Sequence, residues 1–582
     1  MLKPKFAIMK SNSIKNLETL RHSLSHILAW AVQELYPGTK FGIGPAIENG
    51  FYYDFGFRES LTSDQLPKIE KRMKELLKNN IKFEKKITLK EEAKKLFSDQ
   101  PYKLELIEEL PGKTATIYQS GDFIDLCKGP HVKSTKEIDS LGFKLTKIAG
   151  AYWRGLEKNP MLTRIYGIAF ENKKDLDDYL KKEAEAEMRD HRKIGERLDW
   201  FSFHPEAPGS VFWHPKGMII WNELENFGKS LRKKYQSQEI QTPQLAKKVL
   251  WEKSGHWDHY KDSMFSFEVE DETYCLKPMD CPFNIKIYQT KIRSYKELPI
   301  RYTEIGRVMR NEKSGEIYGL FRVRSMTQDD AHIFAAKEQV EKEISILLKM
   351  VKEYYKAFGI KPEFFLSTRP DDFIGEISTW NKAEINLKNA LIKEKIKYGI
   401  KEKDGAFYGP KIDINIKDAL GRSWQLATIQ LDFQLPQRFN IEYIDKYGKK
   451  KSPVIIHAAI FGTFERFIGI LIEHYAGALP FWLSPVQVWV IPIGSRHEKY
   501  AKKVCKELEE KGLRVELKDE NDTVSKKIRE GEIQKIPCLL VVGDKEMKNK
   551  SVRVRERGKG DIGEMKIKRF VEKTSKELKK KV

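Results

Sequence analysis

The alternation of apolar and polar positions divides the chain into stretches of different character. Near the start, LRHSLSHILAWAVQEL carries apolar residues at helical spacing, and FGIGPAI and FYYDF read as strands. Residues 64–98 are rich in Lys and Glu and predict helix. Residues 171–198, ENKKDLDDYLKKEAEAEMRDHRKIGERL, combine helix formers with opposite charges at helical spacing, which predicts a solvent-facing linker helix. LDWFSFHPEAPGSVFWHPKG interrupts that pattern with Pro and Gly and opens a new domain. The domain runs to FWLSPVQ, residues 481–487, where a Pro marks the next boundary. The tail alternates cleanly. VQVWVIPI predicts a buried strand, HEKYAKKVCKELEEKG a helix, LRVELKD a strand, VSKKIREGEIQKI a helix and PCLLVVGD a strand. Together they predict a small α/β domain with a largely parallel sheet.

Length changes the picture only by requiring several cores. At 582 residues the chain implies three or four domains. A hydrophobic fraction of 40% and an aromatic fraction of 11% suit folded protein. There is no apolar run long enough for a bilayer, and MLKPKFAIMKSNSIKNLETL is basic without a secretory apolar core. A cytoplasmic enzyme is expected; an organelle-targeting reading stays open. Lys and Arg number 106 against 84 Asp and Glu, a net charge of +22. That points to a polyanion partner such as nucleic acid, although a composition rich in Lys and Ile would produce the same excess. The five cysteines are sparse and odd in number. They argue for a reducing compartment and for ligand or thiol roles over a disulfide framework.

Four constellations carry candidate chemistry. RNEKSGEIYGLFRVRSMTQDDAHIF, residues 310–334, reads as a hairpin with Arg310 and Arg322 on paired strands, aimed at one anionic ligand such as a triphosphate. A solvated basic hairpin is the alternative. His22 and His26 in HSLSH lie one helical turn apart, and Cys127 and His131 in CKGPH have the same separation. These four suit a tetrahedral zinc, a metal-free hydrolytic pocket in which neutral His takes a proton from water, or two unrelated pairs. Cys281, His332 and His457 sit in or near strand-like segments. A thiolate with two imidazoles would leave a zinc position open for substrate; a satisfied core histidine is the plainer reading. In GTFERFIGILIEHY, Arg466 follows a Gly as a helix opens and could cover an aromatic ring or a nucleobase.

Six segments in combination carry a resemblance to a known family: TPQLAKKVLWEKSGHWDHYKDSMF, LKPMDCP, RNEKSGEIYGLFRVRSMTQDDAHIF, FYGPKIDI, WQLATIQLDF and GTFERFIGILIEHYAG. From about residue 15 to its end the chain resembles the threonyl-tRNA synthetases, class II aminoacyl-tRNA synthetases. The resemblance implies an α+β multidomain protein. Residues 1–172 would form an α+β editing domain, 173–198 a linker helix, 199–485 an antiparallel-sheet catalytic core and 486–582 an α/β anticodon-binding domain. It implies a threonine–tRNA ligase that forms threonyl-adenylate from L-threonine and ATP, charges tRNA(Thr), and hydrolyses Ser-tRNA(Thr).

By the same resemblance, Arg310 would hold the α-phosphate of ATP, with Glu312 near the adenine. Arg322 would hold the γ-phosphate and Arg466 would stack on adenine. Gln328, Asp330, Tyr408, Lys411, Gln425 and Gln430 would line the amino-acid and adenylate pocket. Cys281, His332 and His457 would bind one Zn²⁺ per subunit, and Mg²⁺ would accompany ATP. His22, His26, Lys103, Asp125, Cys127 and His131 would form an editing pocket that works without metal. Asn521, Glu546 and Arg555 would read the anticodon, and Pro243 would lie at a homodimer interface. There is no membrane partner. By the same comparison of motifs, the chain would depart from the family in lacking the small ubiquitin-like N-terminal domain. It also has Met326 where Phe is expected, and Asn284 and Ala458 beside the zinc ligands. These last two put the support of the metal in doubt. A catalytically silent RNA-binding regulator is the alternative from another class, and a serine or proline synthetase the alternative within class II.

Overall fold

In the helix Lys5–Leu35, Leu20, Leu24, Ile27, Leu28 and Ala31 recur at helical spacing and are buried. This apolar stripe packs with Phe51, Tyr53 and Phe55 of the strand Gly50–Gly56 and with Ile69 and Met73 of the helix Leu66–Lys78. The computed structural model describes residues 5–59 and 61–581, and the chain separates into two compact units, Met1–Ala184 and Glu185–Val582. In the first unit the strand Gly50–Gly56 pairs with Met161–Ala169, which pairs with Phe143–Tyr152. A second antiparallel sheet joins Glu84–Leu89, Thr114–Ser120 and Phe123–Leu126. The expectation of helix across 64–98 is therefore corrected. Glu84–Leu89 is an exposed strand, held by its pairing with Thr114–Ser120 where its Lys- and Glu-rich composition favours helix. The single linker helix expected over 171–198 is two helices, Lys173–Arg189 and His191–Arg197. The chain breaks at Asp190, whose side chain accepts the N–H of Arg192 and caps the second helix.

The second unit is built on an eight-stranded sheet. Its strands run in the order Gln238–Glu239, Ile300–Met309, Ser325–Ala335, Val454–Thr463, Ser423–Asp432, Lys411–Lys417, Pro362–Ser367 and Tyr398–Lys401. All neighbours are antiparallel except the outermost pair at each edge. One face packs on the helices Pro215–Lys234, Val340–Lys356 and Phe464–Tyr475 through Ala331, Ile333, Ile429, Leu431, Ile456 and Ala458. Because side chains alternate along a strand, Gln328, Asp330 and His332 share the opposite face with Thr428, Gln430 and Asp432.

A bulge perfects this arrangement at one end. Gln328 pairs with Thr463 but Asp330 with Ala459, so the strand Val454–Thr463 carries extra residues there. Gly462 takes up the bend at φ +77°, with an added Cβ only 2.8 Å from the carbonyl oxygen of Leu426. The N–H of Ile460, left off the ladder, donates to Asp329 Oδ2 at 3.1 Å, and Arg232 donates to Asp329 Oδ1 from Nη2 at 2.8 Å and Nε at 3.2 Å. Arg232 and Asp329 are both buried.

The C-terminal part of this unit has a sheet in the order Val515–Leu517, Val488–Pro492, Cys538–Val542, Ser551–Glu556 and Gly560–Lys566. The strand read from VQVWVIPI is an interior strand, second in the sheet, and is buried on both faces. The largely parallel sheet expected here is corrected to a mixed one. The first three strands are parallel, and the hairpin Ser551–Lys566 adds two antiparallel strands. Among the described residues no helix is long and apolar enough to cross a membrane.

Arg232→Ala would leave the Asp329 carboxylate buried without its cation. It is expected to cost about 3–5 kcal/mol, read as a lowered midpoint in denaturant unfolding of the full chain, with the double variant Arg232→Met, Asp329→Asn less damaging than Arg232→Ala alone.

Candidate active site

The polar face of the eight-stranded sheet floors a cavity of about 800 Å³. Its lining includes Arg310, Gln328, Asp330, Tyr408, Lys411, Gln425, Gln430, His457 and Arg466. Every residue assigned from sequence to the amino-acid pocket thus faces one space. Tyr408 donates its hydroxyl hydrogen to Gln430 Oε1 at 3.1 Å, and Gln430 Nε2 donates to the carbonyl of Gly409 at 3.2 Å. Lys411 Nζ lies 3.0 Å from Asp413 Oδ2, and Gln425 Nε2 donates to Asp413 Oδ1 at 2.6 Å. Asp413, fully buried, orders both side chains. Burial, and then the neighbouring Asp280 carboxylate, push Asp330 well above the usual carboxylate range.

Cys281, His332 and His457 converge, with their ligand atoms within 4.8 Å of one another. The histidines are directly paired across adjacent strands, and Cys281 follows the strand Glu272–Leu276. It opens the helix Cys281–Tyr288, where unsatisfied N–H groups favour an anionic sulfur. His457 Nε2 lies 2.9 Å from Asp432 Oδ2, which fixes the proton on that nitrogen and turns the Nδ1 lone pair inward. His457 Nδ1 and both ring nitrogens of His332 are buried without a hydrogen-bond partner. Burial holds the His332 imidazole well below its ordinary pKa, with His457 adding to the effect, so it is neutral. Burial and nearby Asp330, Asp280 and Asp432 raise the Cys281 thiol well above its own. Orphaned imidazole nitrogens beside a thiol that only a cation would ionise are a donor set that could hold a zinc ion. Of the departures beside it, Asn284 is buried and donates from Nδ2 to the Asp280 carbonyl at 3.1 Å while its Oδ1 has no partner among the described residues, and Ala458, like Met326, lines the cavity.

The basic groups need one correction. Arg310 and Arg322 do not stand on paired strands; both lie in the connection between Ile300–Met309 and Ser325–Ala335. Arg310 reaches the cavity, its Nε donating to the Pro278 carbonyl at 3.2 Å. Arg322 is exposed and turned to carboxylates of its own loop, at 2.8 Å from Glu312 and 2.9 Å from Glu316. Arg466 Nε donates to the Phe321 carbonyl at 3.0 Å. Burial, then the positive charges of Arg310 and Arg322, lower the Arg466 pKa, which an incoming polyanion would reverse. Glu465 accepts the Thr327 N–H on both oxygens, at 2.9 and 3.1 Å, and burial raises it to about 7. Sequence reasoning missed Asp432, which the two-residue alternation from Gln430 would have found. It also missed Asp413, Arg232 and Glu465, whose partners lie far away in the chain or on another element.

In the first unit the other constellation closes as expected. His22 and His26 come from the helix Lys5–Leu35, and Cys127 and His131 from the loop after Phe123–Leu126. Cys127 Sγ lies 3.2 Å from His22 Nε2 and 3.3 Å from His131 Nε2, and receives the Gly129 N–H at 3.2 Å. The Pro130 carbonyl at 3.1 Å can only accept, so it holds the His22 proton on Nδ1. Lys103 Nζ sits 2.5 Å from Asp125 Oδ1, and Tyr53 donates to Asp125 Oδ2 at 2.6 Å, all three groups buried. Asp125 in turn lies 3.6 Å from His26 Nε2. Burial lowers the pKa of His22, His26 and His131 and pushes the Cys127 thiol up to about 12. At neutral pH the pocket therefore holds neutral imidazoles and a neutral thiol. In the C-terminal sheet domain, Asn521 is exposed before the helix Val524–Ile533, and Arg555 is half-buried with Nε unpartnered. Glu546 is buried, its carboxylate accepting the Gly543 N–H at 3.0 Å.

Three family profiles match the chain. They are the tRNA synthetase class II core domain (G, H, P, S and T) over residues 265–475, the anticodon binding domain over 487–577, and the threonyl and alanyl tRNA synthetase second additional domain over 115–166. The threonine–tRNA ligase of Clostridium tetani is 50% identical over 564 residues, 96% of this chain and 88% of the relative. That of Carboxydothermus hydrogenoformans is 50% identical over 567 residues, covering 97% and 89%. Among solved structures, the RNA binding domain of threonyl-tRNA synthetase from Cryptosporidium parvum Iowa II superposes with a TM-score of 0.64 at 41% identity, covering 66% of this chain and 98% of that one. A putative threonyl-tRNA synthetase from Aeropyrum pernix gives 0.60 at 29% identity, covering 67% and 96%.

The buried histidines of the first unit set a pH dependence. Their folded pKa values lie below the unfolded value of about 6.5, so the unfolded chain binds more protons as pH falls below 6.5. Stability is full above that pH and is lost progressively below it. Calorimetry of the full chain should show the first unit's transition moving to lower temperature from pH 7 to pH 5, with a shallower slope in His131→Gln.

Proposed function

The chain belongs to the threonine–tRNA ligases, and on that premise we propose how its residues divide the work. It is an ATP-dependent class II ligase that joins threonine to tRNA. We assign the amino-acid and nucleotide chemistry to the 800 Å³ cavity. The observation that carries this is the convergence of Cys281, His332 and His457, with orphaned imidazole nitrogens, on the same floor as Arg310 and Arg466.

Threonine and valine are nearly the same shape, so an apolar wall separates them by only about 10²-fold, whereas a site built around the substrate hydroxyl reaches 10⁴-fold or more. Zinc held by Cys281, His332 and His457 would supply that recognition through the amino and hydroxyl groups of threonine. Gln328, Asp330, Tyr408 and Gln430 would surround the remainder, with Lys411 and Gln425 held by Asp413 near the adenylate. Arg310 would hold the α-phosphate, so that the threonine carboxylate meets phosphorus in a fixed orientation as pyrophosphate leaves. Arg466 would cover the adenine, and Glu312 would approach the base. Arg322 would exchange Glu312 and Glu316 for the γ-phosphate, a trade of one exposed ion pair for another. Mg²⁺ would neutralise the phosphates.

Serine keeps the hydroxyl and lacks one methyl, worth about 1–3 kcal/mol, so a second, hydrolytic site is needed. We assign it to His22, His26, Cys127 and His131. His22 Nε2 and His131 Nε2 both face Cys127 in a neutral pocket, which supports proton transfer to and from water by imidazole at neutral pH. The buried Lys103–Asp125–Tyr53 network would hold His26 in place. In this reading residues 1–172 edit, 173–198 link, 199–485 catalyse and 486–582 bind the anticodon through Asn521, Glu546 and Arg555. Pro243, exposed between the strands Gln238–Glu239 and Leu245–Lys247, would meet a second subunit. The enzyme would act in the cytoplasm.

Cys281→Ala should carry less than one-tenth of the zinc of the unaltered protein by metal analysis and lose threonine-dependent ATP–pyrophosphate exchange; full exchange without zinc refutes the metal assignment. His22→Ala should charge threonine at the normal rate yet accumulate Ser-tRNA(Thr) at least tenfold. Unchanged misacylation removes the editing assignment.

A further inference from the structure

The short helix His191–Arg197 carries a histidine that is fully buried and belongs to none of the groups above. Its Nδ1 lies 2.7 Å from Glu473 Oε1, which also accepts the His191 backbone N–H at 3.2 Å. A carboxylate only accepts, so the ring proton sits on Nδ1. The lone pair on Nε2 then accepts the N–H of Leu320 at 2.9 Å. Asp190, His191 and Glu473 are close enough to suggest a metal site. However, both ring nitrogens are committed, Asp190 is forked by Arg192, and Glu473 is bound on its other oxygen by Arg422. The cluster is a relay of hydrogen bonds.

What the relay holds is the turn at residues 318–322, inside the connection that bears Arg310 and Arg322. Tyr318 and Arg322 exchange backbone hydrogen bonds at 3.1 and 3.2 Å, which leaves the Leu320 N–H pointing outward, where His191 meets it. The His191 ring packs on Phe321 at 4.2 Å between centroids, and Gly319 comes so near that a Cβ there would lie 2.2 Å from His191 Nε2. From the other side the turn rests on Gly469 of the helix Phe464–Tyr475. The next carbonyl, that of Phe321, accepts Arg466 Nε at 3.0 Å. One imidazole thus joins the C-terminal end of that helix, through Glu473, to the turn that aims the arginine at its N-terminal end.

We propose that His191 is a positioning residue for ATP. Through Leu320 it fixes the 318–322 turn so that the Phe321 carbonyl keeps Arg466 directed into the nucleotide part of the cavity. This rests on the assignment of Arg466 to the adenine.

Two amide substitutions separate the ring's two hydrogen bonds. Asn places its nitrogen where Nδ1 stands and keeps the bond to Glu473, but has nothing to accept the Leu320 N–H. Gln places its oxygen where Nε2 stands and accepts that N–H, giving up the side-chain bond to Glu473. Both lose the same ring packing. In ATP–pyrophosphate exchange with the full-length protein, His191→Asn should raise the KM for ATP about tenfold, with the KM for threonine unchanged. His191→Gln should stay within about twofold for both substrates. Arg466→Ala is the reference and should raise the KM for ATP at least as much as His191→Asn. An ATP KM for His191→Asn within twofold of the unaltered protein overturns the proposal, as does an equal rise in the two amide variants or a parallel rise for threonine. If Arg466→Ala itself leaves the KM for ATP unmoved, the adenine assignment falls and the proposal falls with it. Should the histidine variants fail to accumulate, Gly319→Ala crowds Nε2 from the turn side. It carries the same expectation of an ATP-selective defect, and an unchanged ATP KM overturns the proposal equally.

Discussion

A slip of one residue between Ser325–Ala335 and Val454–Thr463 would turn Gln328, Asp330 and His332 into the helix-packed core and bring Ala331 and Ile333 into the cavity. The register is held along the helix-packed face and at the end of the strand. On the buried side, Ile333, Ile429 and Ile456 meet the helices and make any slip expose apolar surface. At the end of the strand, Asp329 takes the N–H of Ile460 that the bulge leaves off the ladder, and Arg232 neutralises it. The same bulge sets Thr463, which accepts the Arg466 N–H and caps the helix Phe464–Tyr475. Metal-type ligands and nucleotide-type arginine thus take their places from one register.

The two pockets use burial in opposite ways. In the first unit burial strips charge from the imidazoles and the thiol: His22, His26 and His131 stay neutral and Cys127 stays protonated, while buried Lys103 pairs with Asp125. Such a pocket is suited to moving protons and has little charge to attract a polyanion. In the cavity on the eight-stranded sheet, burial leaves unmet demand. Arg466 is held among like charges, and imidazole lone pairs have no donor. Groups kept in that state are pre-arranged for ligands that carry the missing charge.

The sequence was legible where one local period governed the outcome. VQVWVIPI and the apolar stripe ending in AWAVQEL each led to the observed element. It was misleading where pairing overrode composition. Glu84–Leu89 opens with Glu84, Lys85 and Lys86, which suit a helix surface, and is a strand because Thr114–Ser120 lies beside it. The charged run 171–198 hid both a break and His191, since nothing in HRKIGER distinguishes a histidine on water from one sealed under a distant turn. The ligand residues of both sites were legible as types at suggestive spacings. Their supports were not: Asp432 for His457, Asp413 for Lys411 and Gln425, and Arg232 for Asp329 are relations across the sheet.

The need for two pockets follows from the size of a methyl group. Recognition of a hydroxyl by a polar site is steep, because an analogue without it leaves buried groups unpaired; recognition of a methyl by an apolar wall is shallow. A site tuned to threonine therefore rejects valine at one step and passes some serine at any affinity it can reach. Tightening the cavity around the methyl would lower the reaction of threonine as well, since the wall contacts both substrates through the same atoms. Correction after transfer avoids this conflict, because the second pocket needs only to admit the smaller residue and exclude the larger. The neutral, closely walled His22–Cys127–His131 cluster, with His26 pinned by Asp125, suits a sieve of that kind, in which rejecting a methyl costs the synthetic reaction nothing.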